Sequence, residues 1–158
     1  MSLLRRPTLW RARDRRALLA RLRRLAPGAA PRWGRLTAPA MLAHLVDAAR
    51  LGLGDVDAPA QNRGLSRLLR HAPAKQIFVY LLPFPRHAPR VPALFATAPG
   101  DWARDVATLE GLVERLTARA ADPRARWPRH PYFGALSVRA WGVLGYAHVD
   151  HHLRQFGV

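Results

Sequence analysis

The sequence predicts an all-α fold, and three observations carry that expectation. Apolar residues recur at helical spacing along most of the chain. Capping residues (Thr37, Asp101 and Ser137) stand at the start of three of these stretches. No stretch reads as a strand in preference to a helix. The first predicted helix runs from about Arg11 to Leu25, with Leu18, Leu19, Leu22 and Leu25 on one stripe and arginines opposite. Pro27-Gly28 ends it. The second begins at Thr37, has Pro39 in its first turn, and continues through Met41, His44, Leu45, Ala48 and Leu51 to Gly52–Gly54. The third covers about Leu65 to Leu82. Its Ile77–Leu82 portion has strand propensity, but the preceding Arg-Leu-Leu-Arg favours helix, and Pro73 implies a kink or a late start.

A long irregular stretch with Pro83, Pro85, Pro89, Pro92 and Pro99 separates this segment from the fourth. Asp101 caps that fourth helix, which runs to about Ala121 with Trp102, Val106, Leu109, Leu112, Val113 and Leu116 inward. After a loop over Pro123–Gly134, Ser137 caps the last helix. Trp141, Leu144, His148, His152 and Gln155 share one of its faces. Five helices, four of them long enough to build a core, make a bundle, and facing helices of bundles are where metals are usually held. With no repeat and no linker, the expectation is one domain over residues 1–158.

Composition narrows the function classes. No run approaches the ~18 apolar residues of a membrane span. The apolar stretch of a secretory signal does not follow Arg5 and Arg6, because Arg11, Arg13, Asp14, Arg15 and Arg16 intervene. A cytoplasmic protein is therefore expected. Cysteine is absent, so disulfides, thiolate catalysis and cysteine-ligated zinc are excluded. The formal net charge of +16 points by itself towards nucleic acid or another anion. Yet Lys75 is the only lysine in a chain rich in Ala, Leu and Pro, as a GC-biased codon pool would produce. No zinc-finger spacing, RNP-like segment or basic zipper accompanies the charge, so a specific nucleic-acid role is not expected.

The chemistry-bearing residues are histidines. On the last helix His148, His151, His152 and Gln155 span an arc of about 100°, and His148 and His152 stand one turn apart. Two inward imidazoles left without partners would cost on the order of 1–3 kcal/mol each. A divalent cation satisfies both and accepts a third imidazole. His44, on the otherwise apolar or small stripe of the second helix, is the candidate for that third ligand. Three histidines leave positions open for water or substrate, which is the layout of a catalytic site. Asp47, near His44, reads either as a carboxylate orienting its ring or as a solvated acid. Gln155 reads as a partner of metal-bound water or as a tie for the C-terminus. His151 sits at the edge of the arc, facing substrate or supporting the ligands. His130 lies in the His-Pro-x-Phe-Gly turn, where a structural role is favoured.

At these residues the chain resembles the DinB-like superfamily of metal-binding four-helix bundles. The family pattern of one histidine near the second helix and His-x-x-x-His on the last maps onto His44, His148 and His152, followed by Arg154 and Gln155. The likeness is closer to a small branch of unknown function. It is carried by Trp33-Gly34-x-Leu36-Thr37, Met41–His44, His130-Pro131-x-Phe133-Gly134 and the ending His148-x-Asp150-His151-His152-Leu153-Arg154-Gln155-Phe156-Gly157-Val158. The resemblance implies a four-helix bundle and a zinc or nickel site. It further implies a small-molecule reaction in which the metal activates a low-molecular-weight thiol, as in bacillithiol S-transferases and mycothiol-dependent maleylpyruvate isomerase. Arg154 is then a candidate to hold a carboxylate of thiol or substrate, with His151 and Gln155 as further catalytic candidates. A metal-dependent hydrolase and a non-catalytic metal-binding bundle remain the alternatives, and homodimerisation through helix faces stays open.

Overall fold

The structure, a computed structural model, describes residues 6–61, 63–86 and 90–158. Arg5 of the targeting argument and Pro89 of the irregular stretch lie outside the described residues. Among these, the regular elements are α1 (Ala12–Leu22), α2 (Ala38–Leu53), α3 (Leu65–Leu68), α4 (Ala74–Tyr80), a 3-10 turn (Pro92–Phe95), α5 (Trp102–Ala121) and α6 (Val138–Gln155). The architecture is all-helical, as the sequence predicts, with an isolated bridge between His130 and Gly134 in place of any strand. No helix of the described residues is long and apolar enough to cross a membrane.

α2 and α6 carry the predicted ligands, and both are fixed at both ends. Thr37 and Ser137 accept hydrogen bonds from the backbone N–H of Ala40 (3.3 Å) and Ala140 (3.2 Å), satisfying donors that the first turn leaves free. At the other end Gly54 and Gly157 take φ of +76° and +80°, which only glycine adopts without strain. There Gly54 N–H donates to Leu51 O and Asp55 N–H to Arg50 O. Gly157 N–H donates to Arg154 O and Val158 N–H to Leu153 O in the same pattern. These are Schellman closures, and they stop each helix at a defined residue.

α2 is buried on nearly all sides. It packs most extensively along α5 and also meets α6 and the 3-10 turn, while α6 packs on α1 and α4 as well. The main core joins Leu18, Leu19 and Leu22 of α1 to Met41, Leu42 and Leu45 of α2, Leu109 to Leu116 of α5, and Val149 and Leu153 of α6. A second cluster gathers Leu69, Val79, Phe133, Val143 and Leu144. Asp101 caps α5 as expected, accepting from Arg104 N–H at 2.9 Å. Trp102 and Val106 are only partly buried against the core.

Two boundaries differ from expectation. α1 ends at Leu22, and Leu25 reaches the core from a turn in which its N–H bonds Leu22 O at 3.0 Å. The third predicted segment, for which Pro73 implied a kink or a late start, is two short helices. Pro73 offers no N–H and restricts the residue before it, so the chain breaks after α3 and helix resumes at Ala74.

Glycines in α5 and α6 give opposite predictions for one substitution. A Cβ on Gly142 would overlap Trp10 Nε1 and Thr8 Oγ1, part of the segment whose Leu9 N–H bonds Gly142 O at 3.1 Å. Trp10 Nε1 is itself fixed on Val138 O at 2.7 Å. Overpacking of this kind costs about 1–3 kcal/mol, against a helix-propensity gain of about 1 kcal/mol. Gly142→Ala should therefore lower the melting temperature. Gly111→Ala, where a Cβ meets nothing within 4 Å, should raise stability by up to about 1 kcal/mol. Thermal and urea melts of the two variants beside wild type check both signs.

Candidate metal centre

The structure brings His44, His148 and His152 together across the α2–α6 interface. Their ring centroids are 4.9 Å (44–148), 5.0 Å (44–152) and 5.1 Å (148–152) apart, an almost equilateral triangle. Each offers one ring nitrogen, and the three nitrogens lie within 4.8 Å of one another. His44 Nε2 stands 3.0 Å from His148 Nε2. Ligands about 2.0–2.1 Å from a shared ion at tetrahedral or octahedral angles stand roughly 3 Å apart, so this pair fits a cation. No Asp or Glu of the described residues joins the cluster.

The hydrogen bonds fix which nitrogens are free. His44 Nδ1–H donates to Leu94 O at 2.7 Å. A carbonyl only accepts, so the proton sits on Nδ1 and the lone pair on Nε2. His152 Nδ1–H donates to Gln155 Oε1 at 2.8 Å, and the amide is oriented because its Nε2 donates to Trp33 O at 2.8 Å. His152 therefore also turns an Nε2 lone pair inward. The His44 Nε2 lone pair accepts from His148 Nε2–H at 3.0 Å, and a divalent ion between the two nitrogens would replace that proton. The residues present thus fit a metal, with two ligands held by outer partners in the way metal-bound histidines usually are. Gln155 acts here as the orienting partner of His152, and it ties the Trp33-Gly34 turn to α6 at the same time. A Cβ on Gly34 would stand 2.8 Å from the Gln155 amide nitrogen.

The irregular segment after α4 closes the other side. Phe84 lies parallel to the His148 ring at 4.9 Å and Phe95 parallel to His44 at 4.3 Å, each at 12°. Asp47 holds this segment: it is 2 % exposed and accepts from Thr97 N–H at 2.9 Å and Thr97 Oγ1–H at 2.5 Å. Asp47 is therefore neither a direct partner of the His44 ring nor a solvated acid. It anchors Thr97, three residues beyond Leu94, whose carbonyl orients His44.

Burial sets the protonation. Desolvation is the largest influence on all three ligands and favours the neutral form needed for coordination. It lowers His44, lowers His148 well below the ordinary value with help from the neighbouring imidazoles, and takes His152 to about 3. His148 is enclosed by protein yet keeps some accessible surface, because it faces a cavity of about 830 Å³.

His151 also lines this cavity, half-buried against Trp33 (5.9 Å) and Phe84 (5.0 Å), and is not one of the converging ligands. Arg154 is not brought to the site: its side chain is 71 % exposed and pairs with Asp150 at 2.9 Å. Its one-turn spacing from Asp150 puts both on one face of α6, where Asp150 also pairs with Arg21 of α1. His130 is a turn residue, as favoured. Its Nδ1 accepts from Tyr132 N–H (3.1 Å) and Phe133 N–H (3.4 Å), its backbone exchanges two 2.8 Å bonds with Gly134, and burial takes its pKa to about 3. Phe84, Leu94, Phe95 and Thr97 were not legible as site residues. They sit in a proline-rich run without periodicity, so the sequence gives no direction for their side chains.

Compared with known proteins, the model of a family described as "Protein of unknown function (DUF1569)" matches residues 11–157. No curated protein and no solved structure matches.

Two predictions follow from the geometry. Gln155→Leu deprives His152 of its orienting acceptor and should weaken metal binding roughly 10–100-fold with the helices retained, measured by competition with a chelating dye. His130 and His152 have folded pKa values of about 3, below the unfolded 6.5. Their neutral burial is fully compatible with folding above pH 6.5. As pH falls from 6.5 towards 3 the unfolded chain gains protons first, so stability should drop by up to about 1.4 kcal/mol per pH unit for each. Urea melts of chelator-treated protein between pH 8 and 4 measure the slope, and a flat profile contradicts the assignment.

Proposed function

We propose that this chain, which belongs to the DUF1569 family, is a metal-dependent enzyme of DinB-like four-helix build. His44, His148 and His152 hold zinc or nickel, and a low-molecular-weight thiol is transferred to a small electrophile. The observation that carries this reading is the triangle of imidazoles, two of them with their lone pairs fixed inward by Leu94 O and Gln155, on the wall of a ligand-sized cavity. The disposition of α1, α2, α5 and α6 around one core supports the bundle reading.

A divalent ion at such a site lowers the pKa of a bound thiol or water and so supplies a nucleophile at neutral pH. The chain's own residues do the rest. His44, His148 and His152 present neutral nitrogens without paying for deprotonation. Phe84 and Phe95 cover two ligand rings and keep bulk water from that side. His151, neutral and on the cavity wall, is placed to take the proton released by the thiol. The sulfur then forms its bond to the electrophilic carbon, and the displaced group leaves with the electron pair of the bond that breaks.

Elemental analysis of purified wild type, His44→Ala and His148→Ala, followed by a thiol-transfer screen, tests the proposal. About one zinc or nickel per chain is expected in wild type and loss of it in both variants, with turnover that requires both metal and thiol. Metal-dependent turnover without thiol would replace transfer by hydrolysis. Bound metal with no turnover of either kind, together with a lowered melting temperature in His148→Ala, would identify a structural site.

A further inference from the structure

The cavity beside the three histidines has a one-sided charge. Arg35, Arg63, Arg86 and Arg90 line it, and no Asp or Glu does. Seven arginines of this protein, none of them on the cavity wall, pair with carboxylates: Arg11, Arg15, Arg21, Arg23, Arg50, Arg115 and Arg154. Among the described residues no carboxylate pairs with Arg86 or Arg90 and no carbonyl accepts from them. Each lies instead on an aromatic face. Arg86 Cζ is 4.5 Å from the centre of the Trp33 ring, and Arg90 Cζ is 4.1 Å from that of Phe95. Stacking uses the flat face of a guanidinium and leaves its N–H edge free, which orients the donors without consuming them.

The rings beneath these arginines lead to the metal centre. Phe95 lies at 4.3 Å on His44, and Trp33 meets His151 at 5.9 Å. Each guanidinium therefore stands one aromatic ring away from a histidine of the site. From there the cavity continues along α6 past Leu144 to Trp141, a distance of about 10 Å for seven helical residues, with Leu69, Phe78 and Phe133 on its walls. A pocket whose lining holds guanidinium groups stacked beside the histidines, a largely apolar chamber and no acid disfavours an organic cation. It suits an organic oxyanion with an apolar body.

We propose that the reactant of this site is an amphiphilic organic anion, a carboxylate or phosphate monoester, whose oxyanion is held by Arg86 and Arg90 while its apolar body fills the chamber along α6. The inference rests on the cavity assigned above to the reactant, but it requires the arginines and not the metal. Bidentate guanidinium–oxyanion pairs supply both affinity and orientation. They would place the atoms next to the anionic group beside His44 and His151.

The test titrates octanoate, octyl phosphate, octanol and octylamine into the full chain, read by tryptophan fluorescence (Trp33 lies under Arg86) and by calorimetry. Four proteins are compared: wild type, Arg86→Gln/Arg90→Gln, the exposed-surface control Arg13→Gln/Arg16→Gln, and His148→Ala. Wild type should bind at least one of the two anions, roughly 10–100-fold more tightly than octanol or octylamine. Whichever of octanoate and octyl phosphate binds more tightly identifies the headgroup. The double substitution at 86 and 90 should abolish that preference, and the equal charge loss at 13 and 16 should leave it. His148→Ala should retain it, which separates this inference from the metal reading: a protein without metal that still selects anions fails only the latter. Octanol binding as well as either anion would overturn the proposal. So would a preference that survives at 86 and 90 but disappears in His148→Ala, since the anion would then sit on the metal.

Discussion

The structure depends on one constraint: three imidazoles from two helices must point at a common centre inside a hydrophobic core. An error of one residue along α6 would rotate its histidines by about 100° and carry them off the α2 face. The features around the site all act against such a slip. Thr37 and Ser137 fix where α2 and α6 start, and the closures at Gly54 and Gly157 fix where they stop. Gln155 ties α6 to the turn that precedes α2 through Trp33 O, and Arg32 N–H bonds Gln155 O at 2.7 Å from the same turn. The C-terminus is held a second time by Arg21, which pairs with Asp150 and donates to Val158 O. Register here is a property of both helix ends and the loop between them, and the histidines inherit their geometry from it.

That arrangement is expensive for the fold alone. Burying neutral imidazoles against one another removes them from water and leaves His44 and His148 only each other's Nε2 as hydrogen-bond partner there. A cavity of about 830 Å³ next to them forgoes the dispersion contacts that a packed core would make. The protein offsets this with the apolar core around α2, in which Met41, Leu42 and Leu45 join residues of α5 and α1. A ligand that binds only the folded chain adds stability by mass action, so an ion at the histidines would strengthen the fold it depends on.

Much of this was legible in the sequence, for reasons that separate cleanly by residue. The helical periods, Thr37, Asp101 and Ser137 fix the long helices, because caps and amphipathic stripes are local properties. His44, His148 and His152 were legible because one helical turn relates two of them and the third interrupts an apolar stripe. The interruption of the third segment at Pro73 was legible for the same reason, since proline is a local prohibition, but the early end of α3 at Leu68 was not. Asp47 failed for another reason: its partner Thr97 lies 50 residues away in a segment with no period to predict its path. Arg154 was assigned to the site by its place in a motif, yet the Asp150 side chain one turn earlier claims it. Proximity in sequence to a ligand gave no information about which side of the helix a long side chain would use.

The stretch described by residues 84–86 and 90–97 does two jobs that are hard to separate. Its aromatic rings lie against His148 and His44, its Leu94 carbonyl sets the His44 tautomer, and it carries Arg86 and Arg90. Asp47 fastens its C-terminal end to α2 from within the core. An anion held by the two arginines would restrain residues neighbouring Leu94, whose carbonyl positions the ring of one candidate metal ligand. By linkage, whatever order an ion imposes on His44 is returned to the anion site with the same coupling free energy. The high arginine content then has a local meaning inside a global bias. A field of +16 attracts anions to the whole surface, and on the proposal made here only the guanidinium groups that stand on aromatic rings beside the histidines would turn it into recognition.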